Sequence, residues 1–304
     1  MAGEDLARLE TEGRNPRTME LDRLPTGELV RALHAENAAV LAAVEAALPQ
    51  VAQVVDLLAD RLGRGGHLFY VGAGTSGRFG VLDASECPPT FGVEPDLVQG
   101  IIAGGPVALT TSVEGAEDDP AIGARDLLAR GVSENDVIVG IASSGRTPYV
   151  VGALEAARRA GAVTVAVVNV TGAALSPHAD ITLAAITGPE PLTGSTRMKA
   201  GTAQKLILNL LTTATMVRLG KVYQNLMVDL RATNSKLRDR AARIVMAAAD
   251  VDRAAAEEAL READGHAKTA IVMLRLGVPA AEASRRLEAA NGWVREALSS
   301  PPGR

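Results

Sequence analysis

Five short runs of apolar, mostly β-branched residues recur between positions 67 and 185 of this 304-residue chain, with helical patterns between them. Each run is apolar almost throughout, rather than at every second position, which is typical of strands buried on both faces of a parallel sheet. Because such strands alternate with helices, the chain is predicted to have an α/β fold with a doubly wound parallel sheet. The predicted strands cover residues 67–71, 97–102, 136–142, 163–168 and 181–185.

Helices are predicted where apolar residues recur at three- and four-residue spacing. Ahead of the first strand this pattern covers residues 27–62, as one long helix or as two shorter helices divided near Pro49. After residue 234 no strand pattern remains. A linking helix and three short helices, broken at Gly265 and Gly277, predict a small all-α C-terminal bundle there. The other predicted helices are 106–113, 121–129, 148–160 and 202–219.

The composition argues against several classes of protein. Apolar residues make up 47% of the chain and aromatic residues only 2%, so a large core must consist mainly of Ala, Val, Leu and Ile. A formal net charge of -5 without a Lys- or Arg-rich block predicts no nucleic-acid partner. The apolar stretches are expected to be too short for a membrane span, and the charged residues 1–14 lack the apolar run of a secretory signal. One cysteine and four scattered histidines predict neither disulfides nor a metal site. A cytoplasmic protein is expected.

The first predicted strand leads into a glycine-rich loop, VGAGTSGRFG, at residues 71–80. Gly72, Gly74 and Gly77 have the G-x-G-x-x-G spacing of a dinucleotide site. Such a site also needs an acidic residue for the ribose at the end of the next strand, about 20 residues further on. The strand 97–102 continues into Ala-Gly-Gly instead. The loop is therefore not interpreted as a dinucleotide site.

A second loop of similar composition, IASSGRTPYV, includes the end of the strand 136–142. It contains Ser143, Ser144 and Thr147, and Pro148 follows where the first turn of a helix would begin. Hydroxyls and backbone N–H groups at a helix N-terminus suit a phosphate. The alternative is that these hydroxyls only cap helices. Two such loops at the carboxyl ends of strands favour a phosphorylated small ligand, and their many hydroxyls indicate a sugar phosphate.

Four motifs resemble, in order, those of N-acetylmuramic acid 6-phosphate etherases: GAGTSGRFGVLDASECPPTFG, VEGAEDD, IASSGRTPYV and TGSTRMKAGTAQKLILNLLTT. The resemblance begins at TEGRNP near the N-terminus and continues into the helical tail. Parts of the pattern also occur in glucokinase regulatory protein and in the wider sugar isomerase (SIS) fold. It implies an SIS-type, flavodoxin-like sheet flanked by helices, in a homodimer with shared active sites. Three parts are then expected: an N-terminal helical arm (1–48), an SIS phosphosugar-binding domain (49–233) and a helical C-terminal domain (234–304).

The resemblance also implies a reaction, cleavage of the D-lactyl ether of a cell-wall sugar phosphate, with no cofactor and no metal. In the ring-opened sugar this ether lies β to the aldehyde, so loss of the C2 proton can expel lactate from C3, where water then adds. One acid and one base suffice. Glu86 and Glu117 match the positions that the family uses for catalysis. Glu86 is expected to protonate the lactyl oxygen and Glu117 to take the C2 proton, with the reverse assignment left open.

The phosphosugar is expected to bind at the two loops, where glycines allow a close backbone approach. Four cations, Arg78, Arg146, Arg197 and Lys199, are either anion ligands or members of surface ion pairs. A twofold dimer can place residues of both subunits at each site, and Lys236 is a speculative contributor of this kind. The expected phosphosugar-binding residues are Gly74, Thr75, Ser76, Ser143, Ser144, Gly145 and Thr147.

Two other functions remain open from the sequence. An aldose–ketose phosphosugar isomerase could use the same fold, but it needs a substrate 2-hydroxyl that an N-acetylamino sugar lacks. A non-catalytic sugar-phosphate sensor would not need both glutamates and would be expected to carry a duplicated domain. Whatever the function, the acidic run EGAEDD has a structural alternative, an ordinary solvated turn.

Overall fold

The computed structural model describes residues 9–230 and 235–299. Contacts divide the described chain into two compact units. Unit 1 comprises residues 9–85 and 96–212, and unit 2 comprises residues 86–95, 213–230 and 235–299. The expected boundary between residues 233 and 234 lies outside the described residues, and the three domain ranges given above remain predictions.

Unit 1 contains a five-stranded, fully parallel sheet with the strand order β2-β1-β3-β4-β5. This order is that of a flavodoxin-like, doubly wound sheet, so the predicted fold class is confirmed. Every residue of β1 and β3 is buried, as expected for strands covered on both faces. The strands are β1 (Leu68–Gly72), β2 (Val98–Ile102), β3 (Val137–Ala142), β4 (Val163–Val168) and β5 (Ile181–Ala184).

Helices flank this sheet. Within unit 1, α5 packs on β1, β3 and β4, and α2 packs on β5. Residues 86–91 of α3 belong to unit 2. The helices are α1 (Thr26–Ala35), α2 (Ala38–Gly63), α3 (Gly74–Phe91), α4 (Pro120–Leu128), α5 (Pro148–Arg159) and α6 (Lys199–Arg218). Short 3₁₀ turns lie at Glu10–Glu12, Pro16–Thr18, Leu21–Arg23, Gly105–Leu109 and Ser176–His178.

Two of the predicted helices differ from the structure. The division of the first helical pattern falls at Glu36 and Asn37, between α1 and α2, and not near Pro49, which lies inside α2. The Glu36 side chain is buried at this break and forms long-range ion pairs, which local periodicity does not reveal. The predicted helix 106–113 is a 3₁₀ turn at Gly105–Leu109.

The segment Thr26–Gly63 is long and apolar enough to cross a membrane, judged by length and composition only, and an 18-residue window within it has a mean hydropathy of 1.6. The expectation that every apolar stretch is far too short for a span is therefore wrong. In this structure α2 buries nine of its side chains and packs on β5. A core helix of this length meets the same criteria as a membrane span.

Unit 2 is helical in its described part after residue 234. Its core consists of small and aliphatic side chains such as Val245, Ala270 and Ile271, all fully buried. Gly265 and Gly277 have positive φ angles at helix ends, which confirms the predicted breaks. Four short helices follow the first one rather than the three expected. The helices are α7 (Ser235–Ala249), α8 (Arg253–Glu262), α9 (Ala267–Leu276), α10 (Ala280–Ala289) and α11 (Val294–Ser299).

Candidate functional site

The loop after β1 is almost entirely the start of a helix, because β1 ends at Gly72 and α3 begins at Gly74. A Cβ atom on Gly77 would lie 2.6 Å from Ile102 Cγ1 and 2.7 Å from the Gly72 carbonyl oxygen. These glycines therefore let the first turn of α3 pack closely against the ends of β1 and β2. Thr75 and Ser76 lie within this first turn.

The loop after β3 is longer and more open. Gly145 has a φ of +63°, and a Cβ atom there would overlap the Ala173 side chain, so both backbone conformation and space require glycine. Thr147 is the N-cap residue of α5, but its side chain makes no capping hydrogen bond. The alternative that its hydroxyl serves only to cap the helix is therefore not realised at Thr147.

A buried amide, Gln204 on α6, joins the two loops. Ser76 Oγ donates to Gln204 Oε1 at 2.9 Å, and Gln204 Nε2 donates to Ser143 Oγ at 2.9 Å. Nε2 also donates to Oδ1 of Asn169, the residue that follows β4, at 2.9 Å. Gln204 and Asn169 are completely buried, and Ser76 is 7% exposed. The structure thus brings together two of the predicted ligand residues through a third side chain.

The remaining hydroxyls of the two loops do not hydrogen-bond to Gln204. Thr75, Ser144 and Thr147 form no side-chain hydrogen bond within the described residues. Ser144 and Arg146 line a cavity of about 400 Å³ together with Glu10 and Thr171. Hydroxyls without a protein partner can bind a ligand or water.

Glu86 lies on α3 and is exposed, and it belongs to unit 2. Glu117 belongs to unit 1, in the exposed acidic loop before α4. Partial desolvation raises the pKa of Glu117 above its ordinary value, and the nearby carboxylates of Asp118 and Glu114 raise it further. The side chain of Glu117 is nevertheless exposed, so the alternative of a solvated turn stands. The catalytic roles of both glutamates remain predictions.

Lys199 was expected to be an anion ligand or a member of a surface ion pair, and the structure shows a third arrangement. Its side chain is 1% exposed, and its ammonium group lies 3.0 Å from Glu36 Oε2, so it belongs to a buried ion pair. Arg17 and Asn15 also donate to the Glu36 carboxylate. Hydrogen bonds from Arg17 are the main cause that lowers the pKa of Glu36 to about 2, against the opposing effect of burial.

The start of α6 is fixed by a second buried carboxylate. Glu190 is completely buried, and it accepts the backbone N–H groups of Lys199 at 2.8 Å and of Ala200 at 2.9 Å. These are donors that a helix N-terminus leaves without partners. Among the described residues, no group of three His, Cys, Asp or Glu side chains could hold a metal ion.

Similarity to known proteins identifies the family. The chain matches the glucokinase regulatory protein N-terminal SIS domain over residues 50–158 and the SIS domain over residues 117–214. The N-acetylmuramic acid 6-phosphate etherase of Mycolicibacterium smegmatis is 57% identical over 296 residues, which cover 97% of this chain and 99% of that protein. The chain belongs to the N-acetylmuramic acid 6-phosphate etherase family.

Further relatives agree with this etherase assignment. The protein of the same name from Aeromonas hydrophila is 54% identical over 290 residues, covering 95% of this chain and 97% of that protein. The resemblance inferred from the four motifs is therefore confirmed. A phosphoheptose isomerase from Francisella tularensis has a TM-score of 0.50 at 22% identity, covering 64% of this chain and all of that one. This likeness supports the SIS-type fold.

The etherase motifs contain residues whose part in the site the sequence analysis did not foresee. Gln204 stands within TGSTRMKAGTAQK, on a helix face whose neighbours Ala200, Ala203 and Ile207 are completely buried. A large amide on such an apolar face needs hydrogen-bond partners. The position of Gln204 among apolar residues could be seen in the sequence. Its hydrogen-bond partners could not, because they lie far away along the chain.

Proposed function

We propose that this chain cleaves the D-lactyl ether of N-acetylmuramic acid 6-phosphate, giving N-acetylglucosamine 6-phosphate and D-lactate. The observation that carries this proposal is identity of 57% with a curated etherase along almost the whole of both chains. Two hydroxyl-bearing loops at the carboxyl ends of β1 and β3 support it, because ligands of open α/β sheets bind there. Such a lyase would serve the catabolism and recycling of cell-wall amino sugars.

The reaction proceeds in two halves on the ring-opened sugar. Glu117 takes the C2 proton, the C3–O bond breaks, and Glu86 gives a proton to the departing lactate oxygen. Glu86, now a carboxylate, takes a proton from water as that water adds to C3 of the unsaturated aldehyde, and Glu117 returns a proton to C2. Both glutamates end in their starting protonation states, and one water molecule is consumed.

Glu117 is placed in the role of base because its pKa is raised, chiefly by desolvation. A carboxylate with a pKa nearer to neutrality removes a weakly acidic C–H proton more effectively. Glu86 takes the other role as the partner implied by the family motif. The phosphate is placed at the two loops, whose proposed phosphosugar-binding residues are Gly74, Thr75, Ser76, Ser143, Ser144, Gly145 and Thr147.

The assembly is proposed to be a cytoplasmic homodimer with shared active sites. A twofold interface lets each site take side chains from both subunits. Lys236, exposed at the start of α7, is the proposed contribution from the second subunit. Sedimentation of the purified chain tests the dimer, and loss of activity in Lys236→Ala with an unchanged dimer tests the shared site.

The test of the reaction is D-lactate release from N-acetylmuramic acid 6-phosphate. Glu86→Gln and Glu117→Gln should each lower the rate by about 10²–10⁴-fold, because each removes one proton-transfer group. Glu45→Gln, the same change at an exposed position of α2, is the matched control and should retain activity. In D₂O the product should carry deuterium at C2. Lactate release without C2 deuterium would contradict the elimination route, and binding without release would favour a sensor.

A further inference from the structure

A chain of buried hydrogen bonds connects the end of β5 to both loops. Asn169 Nδ2 donates to the backbone carbonyl of Ala185, the residue after β5, at 2.8 Å. Asn169 Oδ1 accepts from Gln204 Nε2, which also donates to Ser143 Oγ. Gln204 Oε1 accepts from Ser76 Oγ. We call these four side chains, Ser76, Gln204, Ser143 and Asn169, the amide chain; all belong to unit 1.

The backbone carbonyl of Ala185, at one end of the amide chain, sets the donor and the acceptor in every one of its hydrogen bonds. A carbonyl oxygen can only accept, so Asn169 must face Ala185 with its NH₂ group and Gln204 with its oxygen. Gln204 must then meet Asn169 with its own NH₂ group, whose second hydrogen goes to Ser143. This leaves the Gln204 oxygen for Ser76, whose hydroxyl must donate.

The two serine hydroxyls therefore differ. Ser76 uses its only proton on Gln204 and is 7% exposed. Ser143 accepts from Gln204, and its own proton has no acceptor within the described part of the chain. Its side chain is only partly buried. A phosphate accepts hydrogen bonds through all its oxygens and cannot donate when it is a dianion, so a hydroxyl must offer a proton to bind it.

We infer that Gln204 is a positioning residue that directs the Ser143 proton toward the ligand's phosphate and holds the Ser76 proton inside the protein. Ser143 is then a phosphate donor, whereas Ser76 shapes the loop and makes no donor contact with the ligand. The inference rests on the proposed function in one respect, that the ligand is a sugar phosphate. It divides the proposed ligand residues into two classes that their sequence motifs do not distinguish.

The test compares Ser143→Ala with Ser76→Ala. Binding of inorganic phosphate and of N-acetylglucosamine 6-phosphate is measured by calorimetry, and KM and kcat are measured for lactate release. Ser143→Ala should weaken both ligands by about 10-fold or more, since it removes a hydrogen bond to a charged group, and should raise KM more than it lowers kcat. Ser76→Ala should change binding by less than about 3-fold while lowering Tm, because it leaves the buried Gln204 oxygen without a donor. An equal or larger loss of binding in Ser76→Ala would overturn the inference.

Gln204→Glu tests the positioning role at nearly constant size. A carboxylate accepts from Ser143, so the variant should weaken phosphate binding as Ser143→Ala does. Adding Ser143→Ala to it should then cost little more. Gln53→Glu, the same change at an exposed position of α2, is the control and should bind normally. Independent, fully additive losses would contradict the inference. If Gln204→Glu fails to fold, the two serine variants still decide the question.

The outcomes separate this inference from the proposed function. Wild-type protein that binds N-acetylglucosamine 6-phosphate with the serine asymmetry, but releases no lactate, would refute the etherase proposal alone. Lactate release with no difference between the serine variants would refute the inference alone. Wild-type protein that binds neither phosphate probe would overturn the inference, because Ser143 would then have no anion to bind.

Discussion

Helix α6 takes part in two polar clusters of opposite character. The amide chain, reached through Gln204, consists of neutral groups whose last hydroxyl proton has no acceptor in the described protein. The ion cluster, reached through Lys199, comprises Lys199, Glu36, Arg17 and Asn15, and its donors all converge on one carboxylate. Neutral groups keep their geometry as pH changes and can leave a donor for a ligand. Oppositely charged groups attract one another and hold distant segments together.

The position of each cluster agrees with this difference. The amide chain lies at the carboxyl ends of the strands, where ligands of this fold class bind. The ion cluster joins the first residue of α6 to the turn between α1 and α2 and to the 3₁₀ turn that begins at Pro16. It therefore anchors the segment before the sheet. Three predictions test the contrast.

The largest effect on stability is expected for Glu36→Gln. The change leaves the Lys199 ammonium group, 1% exposed, without its carboxylate. Breaking a buried pair in this way costs about 3–5 kcal/mol. Denaturant unfolding measures the loss, and Glu28→Gln, at an exposed position of α1, should change stability by less than about 0.5 kcal/mol. Equal stability of Glu36→Gln and wild type would show that the cluster does not anchor the fold.

The second effect is a dependence of stability on pH. Of the two clusters, only the ion cluster should produce it. The pKa of Glu36 falls from 4.5 to about 2 in the folded protein, mainly through its hydrogen bonds with Arg17. A lowered folded pKa means that the stabilising contribution is complete above pH 4.5 and disappears as the pH falls toward 2. The stability difference between wild type and Glu36→Gln should therefore shrink across this range. A difference that stays constant from pH 6 to about pH 2 would refute the assignment.

The smallest effect on stability is expected for Thr147→Ala. Because Thr147 makes no capping bond, its loss should change the free energy of unfolding by less than about 0.5 kcal/mol, while sugar-phosphate binding weakens. Asp252→Ala is the matched control, since Asp252 does cap α8 by accepting the Ala255 N–H at 2.9 Å. That control should lose about 1 kcal/mol. A comparable loss in Thr147→Ala would mean that its hydroxyl serves the helix after all.

Much of the fold could be predicted because it depends on local patterns. The five strands were placed within one residue at each end, since continuous β-branched runs have few other stable arrangements than a covered parallel sheet. The two hydroxyl loops were located for the same reason, because they directly follow the first and third strands. The family, too, could be recognised from motifs that are contiguous in the chain.

The rest required partners that are distant in sequence. The break between α1 and α2 lies at Glu36, whose carboxylate pairs with Lys199 163 residues away, while Pro49 is tolerated inside α2. Helical periodicity does not reveal such a pair. The prediction therefore put the break near Pro49.

The sequence by itself determined the α/β class, the positions of the strands and loops, and the family, because these depend on local periodicity and contiguous motifs. Only the tertiary structure decided which hydroxyl protons are free. Gln204 joins side chains 128 and 61 residues away, and the bond directions are set by the carbonyl of Ala185 at the end of a fifth strand. A hydroxyl can donate only one proton, so its role depends on which neighbour takes that proton, and the neighbours are set by the fold.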